Sequence, residues 1–141
     1  MKILLNIIKH LILLCIGGLV YLGIEFAFRG YSHWTMFFVG GLAFIACGLI
    51  NEILYWDTPL PVQMLYGSVM ITLIEFISGY VINIVFGLGV WDYSNLPFNI
   101  MGQVCPQFML AWFFLALPAI VVDDYLRYKF FKEEKPKYKL W

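Results

Sequence analysis

The sequence predicts an all-α integral membrane protein, a bundle of four transmembrane helices. Of its 141 residues, 62% are hydrophobic and only 13% are charged, whereas a soluble domain usually carries about 25% charged residues. The apolar residues fall in four long runs. Many of the Trp and Tyr residues stand where these runs end, at the depth where amphipathic rings favour a membrane–water interface.

Each apolar run is close to the length that crosses a membrane, because a hydrocarbon core of about 30 Å needs roughly 20 helical residues. The runs are approximately residues 11–28, 36–54, 62–85, and a last one that begins between Phe98 and Pro106 and ends near Val122. Pro106 is either the first residue of the fourth helix or a kink within it. If it is the first, residues 91–105 form an irregular or re-entrant segment or a short extra helix.

The basic residues predict which side of the membrane each terminus occupies. Lys2 and Lys9 flank the first run, and residues 123–141 carry six Lys or Arg against four Asp or Glu. Two helical hairpins bring both termini to one side, which the positive-inside rule makes cytoplasmic. The first run lacks an Ala-x-Ala cleavage site, so we expect a retained helix and not a signal peptide. We therefore expect a multi-pass protein of the cell membrane, with a single membrane domain, 1–128, and a basic cytoplasmic tail, 129–141.

Polar side chains recur in the outer half of the predicted bundle, although charged groups are costly to insert into a membrane. With their aromatic neighbours they predict a ligand-binding pocket. Its candidate residues are Glu25, Arg29, His33, Glu75, Asn83, Trp91, Asp92, Tyr93, Asn99 and Gln103. One Arg faces three carboxylates, and aromatic faces attract cations, so the pocket suits a small polar, zwitterionic or cationic solute. The alternatives are a local ion pair between Glu25 and Arg29, one helical turn apart, and a structured outer loop.

Glu75 lies near the middle of the third run, too deep to reach water easily. Gly79 and Asn83 follow it at steps of four, on the same helix face. A carboxyl group without partners is costly in lipid. We therefore expect this face to turn inward, with Glu75 in a pocket shared with Asn83 and with Asp92 or Asn99. The alternative is a protonated Glu75 that bonds a neighbouring helix and is purely structural.

Three further polar residues lie at the inner ends of the second and third runs. Asn51 and Glu52 are near the end of the second run, and Gln63 opens the third. Snorkelling of the side chains to the interface and capping of the helix ends explain them adequately. The functional alternative, for which these three residues are the candidates, is an inner gate of the same pathway.

The motifs of several common mechanisms are absent from the sequence. There is no GxxxxGK[ST], so we expect no ATP bound by this chain, and there is no GxSxG or HExxH. Cys15, Cys47 and Cys105 have no metal-ligand spacing, and we expect neither a metal nor another cofactor. The formal net charge of zero gives no reason to expect a nucleic acid partner. We assign no catalytic residue, and the pattern argues against an enzyme.

Many of these polar residues, together with several glycines, match the sequence pattern of a known protein family. The residues concerned are Glu25, Arg29, Ser32, His33, Gly40, Gly41, Asn51, Glu52, Gln63, Glu75, Gly79, Asn83, Trp91, Asp92, Tyr93, Ser94, Pro97, Asn99, Gly102, Gln103 and Trp112. On these residues the chain resembles the CmpB-type, or ABC-transporter type IV, membrane proteins from about Gly23 to Arg127. The run WDYS-x-x-P-x-N at residues 91–99 is the most specific part. The resemblance implies a membrane component of a transporter.

Three functions are open at this point. The leading hypothesis is a small, permease-like transport component that passes a solute between Glu75 and the inner gate. Because four helices rarely enclose a path alone, we expect a homo-oligomer or a partner subunit, in contact with membrane lipid. One alternative is a membrane enzyme acting on a lipid head group, with Glu25, His33 or Asp92 as acid or base. The other is a structural or assembly protein whose polar groups bond one another.

Cysteine labelling of intact cells tests the orientation. We expect the thiol introduced by Ser94→Cys to react with an added membrane-impermeant maleimide, because residue 94 lies in the predicted outer loop. The thiol introduced by Lys137→Cys should be shielded until the membrane is permeabilised. Reaction of the Lys137→Cys thiol in intact cells would show that the chain has the opposite orientation.

Overall fold

Four long helices make up the bundle. The computed structural model describes residues 1–141, with α1 (Lys2–Arg29), α2 (Thr35–Ile53), α3 (Leu60–Gly79) and α4 (Pro106–Phe131). A π-helical segment, Tyr80–Val85, continues α3. The four helices, with α3 counted together with this continuation, are long and apolar enough to cross a membrane. The predicted fold class, an all-α membrane bundle of four helices, is confirmed.

The first and last helices are longer than the apolar runs predict. α1 begins at Lys2 and has 28 residues, against 19 in α2. α4 continues to Phe131, through the predicted start of the tail. Both extensions contain charged residues, but Lys9 and Arg127 each pair with a carboxylate, which lets the helices continue beyond the apolar runs. α4 starts at Pro106, whose missing N–H is not needed at a first helical position.

α1 and α2 form the first hairpin and are closely interlocked. Gly17 and Gly18 of α1, and Gly40 and Gly41 of α2, each face a side chain or carbonyl group of the other helix. A Cβ atom on Gly40 would lie 2.7 Å from Cγ of Tyr21. Small residues of this kind let two helix backbones approach closely, which is how helices gain packing energy in lipid.

The buried core lies among the other three helices. α2 packs against both α3 and α4, which together form the second hairpin, whereas α1 makes few contacts beyond α2. The core side chains are those of Cys47, Ile50, Met64, Ile71, Trp112, Ala116 and Ile120. Since α1 is held almost entirely by α2, a gap remains between α1 and α4.

Residues 86–105, which we call the outer cap, are irregular and cover one end of the bundle. Irregular backbone must satisfy its own polar groups near a membrane. The amide of Tyr93 donates to the carbonyl of Gly102 over 2.7 Å, and that of Ile100 donates to Val104 over 2.9 Å. The backbone φ of Gly102 is +73°, a value that residues with a side chain rarely adopt. In addition, Asp92 lies in the space that a Cβ atom on Gly102 would need.

The opposite end of the bundle holds both chain termini. Lys9 near the start of α1 pairs with Glu133 just after α4. The tail then turns back over the bundle, and the carbonyl of Lys139 accepts a 2.6 Å hydrogen bond from the amide of Leu60. The two termini therefore lie on the same side. The cytoplasmic assignment of that side stays a prediction.

Paired glycine substitutions test the interlocked α1–α2 hairpin. Gly40→Ala should lower the melting temperature in detergent or nanodiscs, because overpacking a tight contact costs about 1–3 kcal/mol. Gly23→Ala is the matched control, since a Cβ atom on Gly23 meets nothing within 4 Å. Alanine favours a helix interior over glycine, so this control should be neutral or stabilising. Equal effects of the two substitutions would contradict the packing described here.

Candidate functional site

The side chain of Glu75 points into the bundle, where two aromatic residues hold it. Glu75 is only 7% exposed. Its Oε2 accepts a hydrogen bond from the hydroxyl of Tyr93 over 3.1 Å, and its Oε1 accepts one from the indole N–H of Trp112 over 3.3 Å. No basic side chain pairs with this carboxyl group. The sequence-based expectation that Glu75 faces the interior is confirmed, and its partners are aromatic donors.

A cavity of about 180 Å³ lies beside Glu75 and receives side chains from all four helices and from Trp91. We call it the outer cavity. Sixteen of its 20 lining residues are hydrophobic, and Glu75 is the only acidic or basic one among them. Its walls include Tyr21 and Trp112, whose ring centroids are 6.4 Å apart. The cavity is thus an apolar and aromatic space with one carboxyl group at its edge, and not the mixed polar pocket that the sequence suggests.

The outer cavity opens sideways, towards the surroundings of the bundle. It lies between α1 and α4, which barely touch. Val20 on α1 and Val122 on α4 both line it, yet they are 57% and 47% exposed. The opening of the outer cavity therefore lies between α1 and α4.

Hydrogen bonds join the outer cap to the π-helical segment directly above Glu75. Asn83, in the π-helical segment, donates to Oε1 of Gln103 over 2.8 Å and accepts a 2.7 Å bond from the amide of Val90. The indole of Trp91 donates to the carbonyl of Gln103 over 3.1 Å. Gly79 makes this possible, because a Cβ atom there would lie 2.5 Å from Oε1 of Gln103. The cap residues thus close the outer end of the cavity.

The ring of Tyr93 is the cap's contact with both Glu75 and α4. It stacks on Phe108 with the ring centroids 4.5 Å apart and the planes at 10°. Burial raises the pKa of the Tyr93 hydroxyl above its usual range, and the nearby Glu75 charge raises it further. The hydroxyl therefore remains a proton donor to Glu75 at physiological pH.

Arg29 and Glu25 form an ion pair one helical turn apart. Nη1 of Arg29 lies 2.9 Å from Oε2 of Glu25, a carboxylate that is 8% exposed. Arg29 also donates to the hydroxyl of Tyr31 over 3.0 Å and to the carbonyl of Val90 over 3.3 Å. The expected pairing of Arg29 with a carboxylate of the outer group is confirmed, and this cation is committed to Glu25.

Three of the sequence-predicted residues bond within their own loops and do not line the outer cavity. Asp92 accepts from the hydroxyl and the amide of Ser94, and the pKa of its exposed carboxyl is lowered by these two bonds. Asn99 bonds the backbone of the outer cap, and His33 lies 2.7 Å from Oγ1 of Thr35. Asp92 and Asn99 do not line the outer cavity beside Glu75, because these short polar side chains are satisfied locally, and Asn83 bonds Gln103 and Val90 instead.

At the inner end, the residues of the predicted gate separate into two places. Asn51 donates to Oδ2 of Asp124 over 2.6 Å, and Glu52 lies 3.6 Å from Nη1 of Arg127. Gln63 instead donates to a carbonyl of the turn between α2 and α3 over 3.0 Å. This bond ties Gln63 to the turn and caps neither helix, since α3 has no side-chain cap hydrogen bond.

Three charged residues of α4 were missed as site residues. Asp123, Asp124 and Arg127 are 0%, 4% and 2% exposed. Nε of Arg127 donates to Oδ1 of Asp123 over 2.5 Å. The fourth apolar run was predicted to end near Val122, and these residues entered only the charge balance that predicts the orientation. Asp123 and Arg127 are four residues apart, a spacing typical of an ion pair on one helix face. This spacing could have indicated that α4 continues through them.

A second cavity, which we call the inner cavity, lies among these residues. Its volume is about 390 Å³, and its lining consists of Asn51, Glu52, Trp56, Asp124, Arg127, Glu133 and Glu134. Burial acts to raise the pKa of the Glu133 carboxyl, but the hydrogen bond from Lys9 and the charges of Lys9 and Arg127 hold that pKa below its usual range. Tyr138 donates to Asp124 over 2.8 Å, and burial and the Asp124 charge raise the pKa of its hydroxyl. The tail therefore closes one side of this cavity.

These features define a multi-pass helical membrane protein with a lateral, largely apolar cavity. Its sequence matches the family described as "Putative ABC-transporter type IV" over residues 13–140. The chain belongs to this family, and the resemblance found in the sequence is confirmed. No solved structure matches it. The family and the four apolar helices fit a membrane transport component.

The buried Arg127–Asp123 pair yields a stability prediction. Arg127→Met should lower the melting temperature strongly, because a buried carboxylate that loses its partner costs about 3–5 kcal/mol. Adding Asp123→Asn to Arg127→Met should restore part of the loss. Lys137→Met is the control, since the side chain of Lys137 is 70% exposed in its pair with Glu134. Additive effects of the two α4 substitutions would show that the pair is not coupled.

Proposed function

We propose that this chain is the membrane subunit of a transport system and that its outer cavity binds an organic cation with an apolar body. The observation that carries the proposal is the apolar and aromatic wall with Glu75 as its single charged group. The sequence suggested a small polar, zwitterionic or cationic solute. The cavity favours the cationic member of that class, in a form that is soluble in lipid.

The charge of the ligand follows from the partners of Glu75. Its carboxyl group has two neutral donors, Tyr93 and Trp112, and no basic partner. A cation in the cavity would supply the missing positive charge, and a charge pair is stronger where water is excluded. The rings of Tyr21, Trp91 and Trp112 line the same space, and aromatic faces attract cations.

A zwitterion fits this cavity less well. Its negative group would need a donor or a cation, and no basic residue lines the outer cavity. Arg29 is the cation that the sequence analysis assigned to the pocket, but it already binds Glu25, the Tyr31 hydroxyl and the Val90 carbonyl. A strongly polar solute would also lose its hydration against hydrophobic walls without replacement hydrogen bonds.

The proposed route runs from the lipid, between α1 and α4, to Glu75. The outer cap blocks the outer end, so release to either side requires a rearrangement of helices or of the cap. Because the chain has no ATP-binding motif, the energy would come from a partner subunit or from an ion gradient. We infer that the working unit is a homo-oligomer or a complex with a partner subunit, in the cell membrane with its termini in the cytoplasm.

A lipid head-group enzyme receives less support. Of its three acid or base candidates, Glu25 is paired with Arg29, and His33 and Asp92 are bonded within their loops. None of the three lines the outer cavity. A purely structural role is the alternative outcome of the following test.

Binding of benzyltrimethylammonium to protein in nanodiscs tests the proposal against neopentylbenzene, its uncharged isostere. Wild-type protein should bind the cation more tightly. Glu75→Gln should weaken cation binding about tenfold to a hundredfold, because a hydrogen bond or contact to a charged group contributes about 1.5–3 kcal/mol. It should leave binding of the isostere unchanged.

Asp57→Asn is the matched control, because it removes an exposed carboxyl group that lies outside both cavities. Its binding of both compounds should equal that of the wild type. Equal affinity of Glu75→Gln and wild type for the cation, with an unchanged melting temperature, would refute a binding role for Glu75. A fall in melting temperature alone would assign Glu75 a structural role.

A further inference from the structure

The inner cavity is chemically the opposite of the outer one. Six of its seven lining residues are polar or charged, and Trp56 is the exception. One helical turn of α2 separates Cys47, which lines the outer cavity, from Asn51, which lines the inner one. A ligand suited to one of these spaces would be poorly suited to the other.

Negative charge is in excess around the inner cavity. Its lining includes the carboxyl groups of Glu52, Asp124, Glu133 and Glu134 and one guanidinium, that of Arg127. The ions paired directly with these groups are Asp123, Lys9 and Lys137. Five carboxyl groups thus meet three basic groups, so carboxyl groups outnumber cations by two, and Asp124 has no ion-pair partner. Uncompensated charge at the end of a membrane bundle is unfavourable.

Hydrogen-bond acceptors are in excess as well. Asp124 is 4% exposed, and both of its hydrogen bonds, from Asn51 and Tyr138, go to Oδ2, so Oδ1 has none. Oδ1 of Asn51 and Oε2 of Glu133 are buried without a hydrogen-bond partner. Among the donors of the lining residues, Nη2 of Arg127 has no hydrogen-bond partner, and Nη1 makes only ion pairs, at 3.6 and 3.9 Å. Three acceptors against two donor nitrogens, which belong to a single cation, favour a ligand that is rich in donors.

We propose that the inner cavity is a second binding site, which takes a small hydrophilic cation carrying primary ammonium groups. An ammonium group has three donors and no acceptor, which matches the three unused oxygen atoms. Two such groups would balance the two excess charges. The ring of Trp56, at the rim, offers a face for a cation. The carboxyl groups do not form a set of three that could hold a metal ion.

Calorimetric titration of the full chain in phosphatidylcholine nanodiscs tests this site with 1,4-diaminobutane as the probe. We expect saturable binding of the diamine and none of butane-1,4-diol or inorganic phosphate. Asp124→Asn should weaken binding about tenfold or more, since it removes a charge-assisted bond. Trp56→Leu should weaken it about fivefold, as expected for a partly exposed cation–aromatic contact. Asp57→Asn, on the same inner turn but outside the cavity, should bind as the wild type does.

The outcomes separate this site from the outer cavity. Glu75→Gln should bind the diamine normally, and the diamine should not displace benzyltrimethylammonium. The proposal is overturned by the absence of diamine binding, by binding of phosphate in its place, or by equal affinities of wild type, Asp124→Asn and Trp56→Leu. Should Asp124→Asn fail to fold, as its melting curve would show, Trp56→Leu against Asp57→Asn decides the question.

Discussion

The carboxyl group of Glu75 sits deep in an apolar bundle, and such a group must find partners there or be excluded. Its two donors come from different parts of the chain, Tyr93 of the outer cap and Trp112 of α4. The need to satisfy this one group therefore fixes the cap over the end of the helices and sets the facing sides of α3 and α4. The stacking of Tyr93 on Phe108 and the cap's bonds to Asn83 and Gln103 reinforce the same arrangement.

The two ends of the bundle manage charge in different ways. Near the outer end, Arg29 neutralises Glu25 locally, which leaves Glu75 as the one acidic group of an otherwise apolar cavity. At the inner end, Arg127 is shared among Asp123, Glu52 and Glu133 in a network that also holds the tail. A single charge in an apolar space favours selectivity for a lipid-soluble ion, whereas a network of exchangeable partners favours a hydrophilic one.

Hydropathy was sufficient to predict the four helices, because crossing a bilayer constrains both length and composition. Spacing was sufficient for the Arg29–Glu25 pair and for the inward direction of Glu75. The burial of Asp123 and Arg127 within α4 was not predicted, because hydropathy alone ends the fourth apolar run near Val122. The sequence also could not predict the apolar character of the outer cavity, since that depends on the gap left between α1 and α4 by three-dimensional packing.

The unequal lengths of the first two helices have a mechanical consequence. At about 1.5 Å per residue, the 28 residues of α1 extend well beyond the 19 of α2, to which it is firmly packed. The exposed apolar side chains of Ile3, Leu4 and Leu5 lie in that excess length. Such hydrophobic mismatch is relieved by tilting the helix or thickening the bilayer. Because the α1–α2 hairpin forms one wall of the outer cavity, membrane thickness would set the width of its lateral opening.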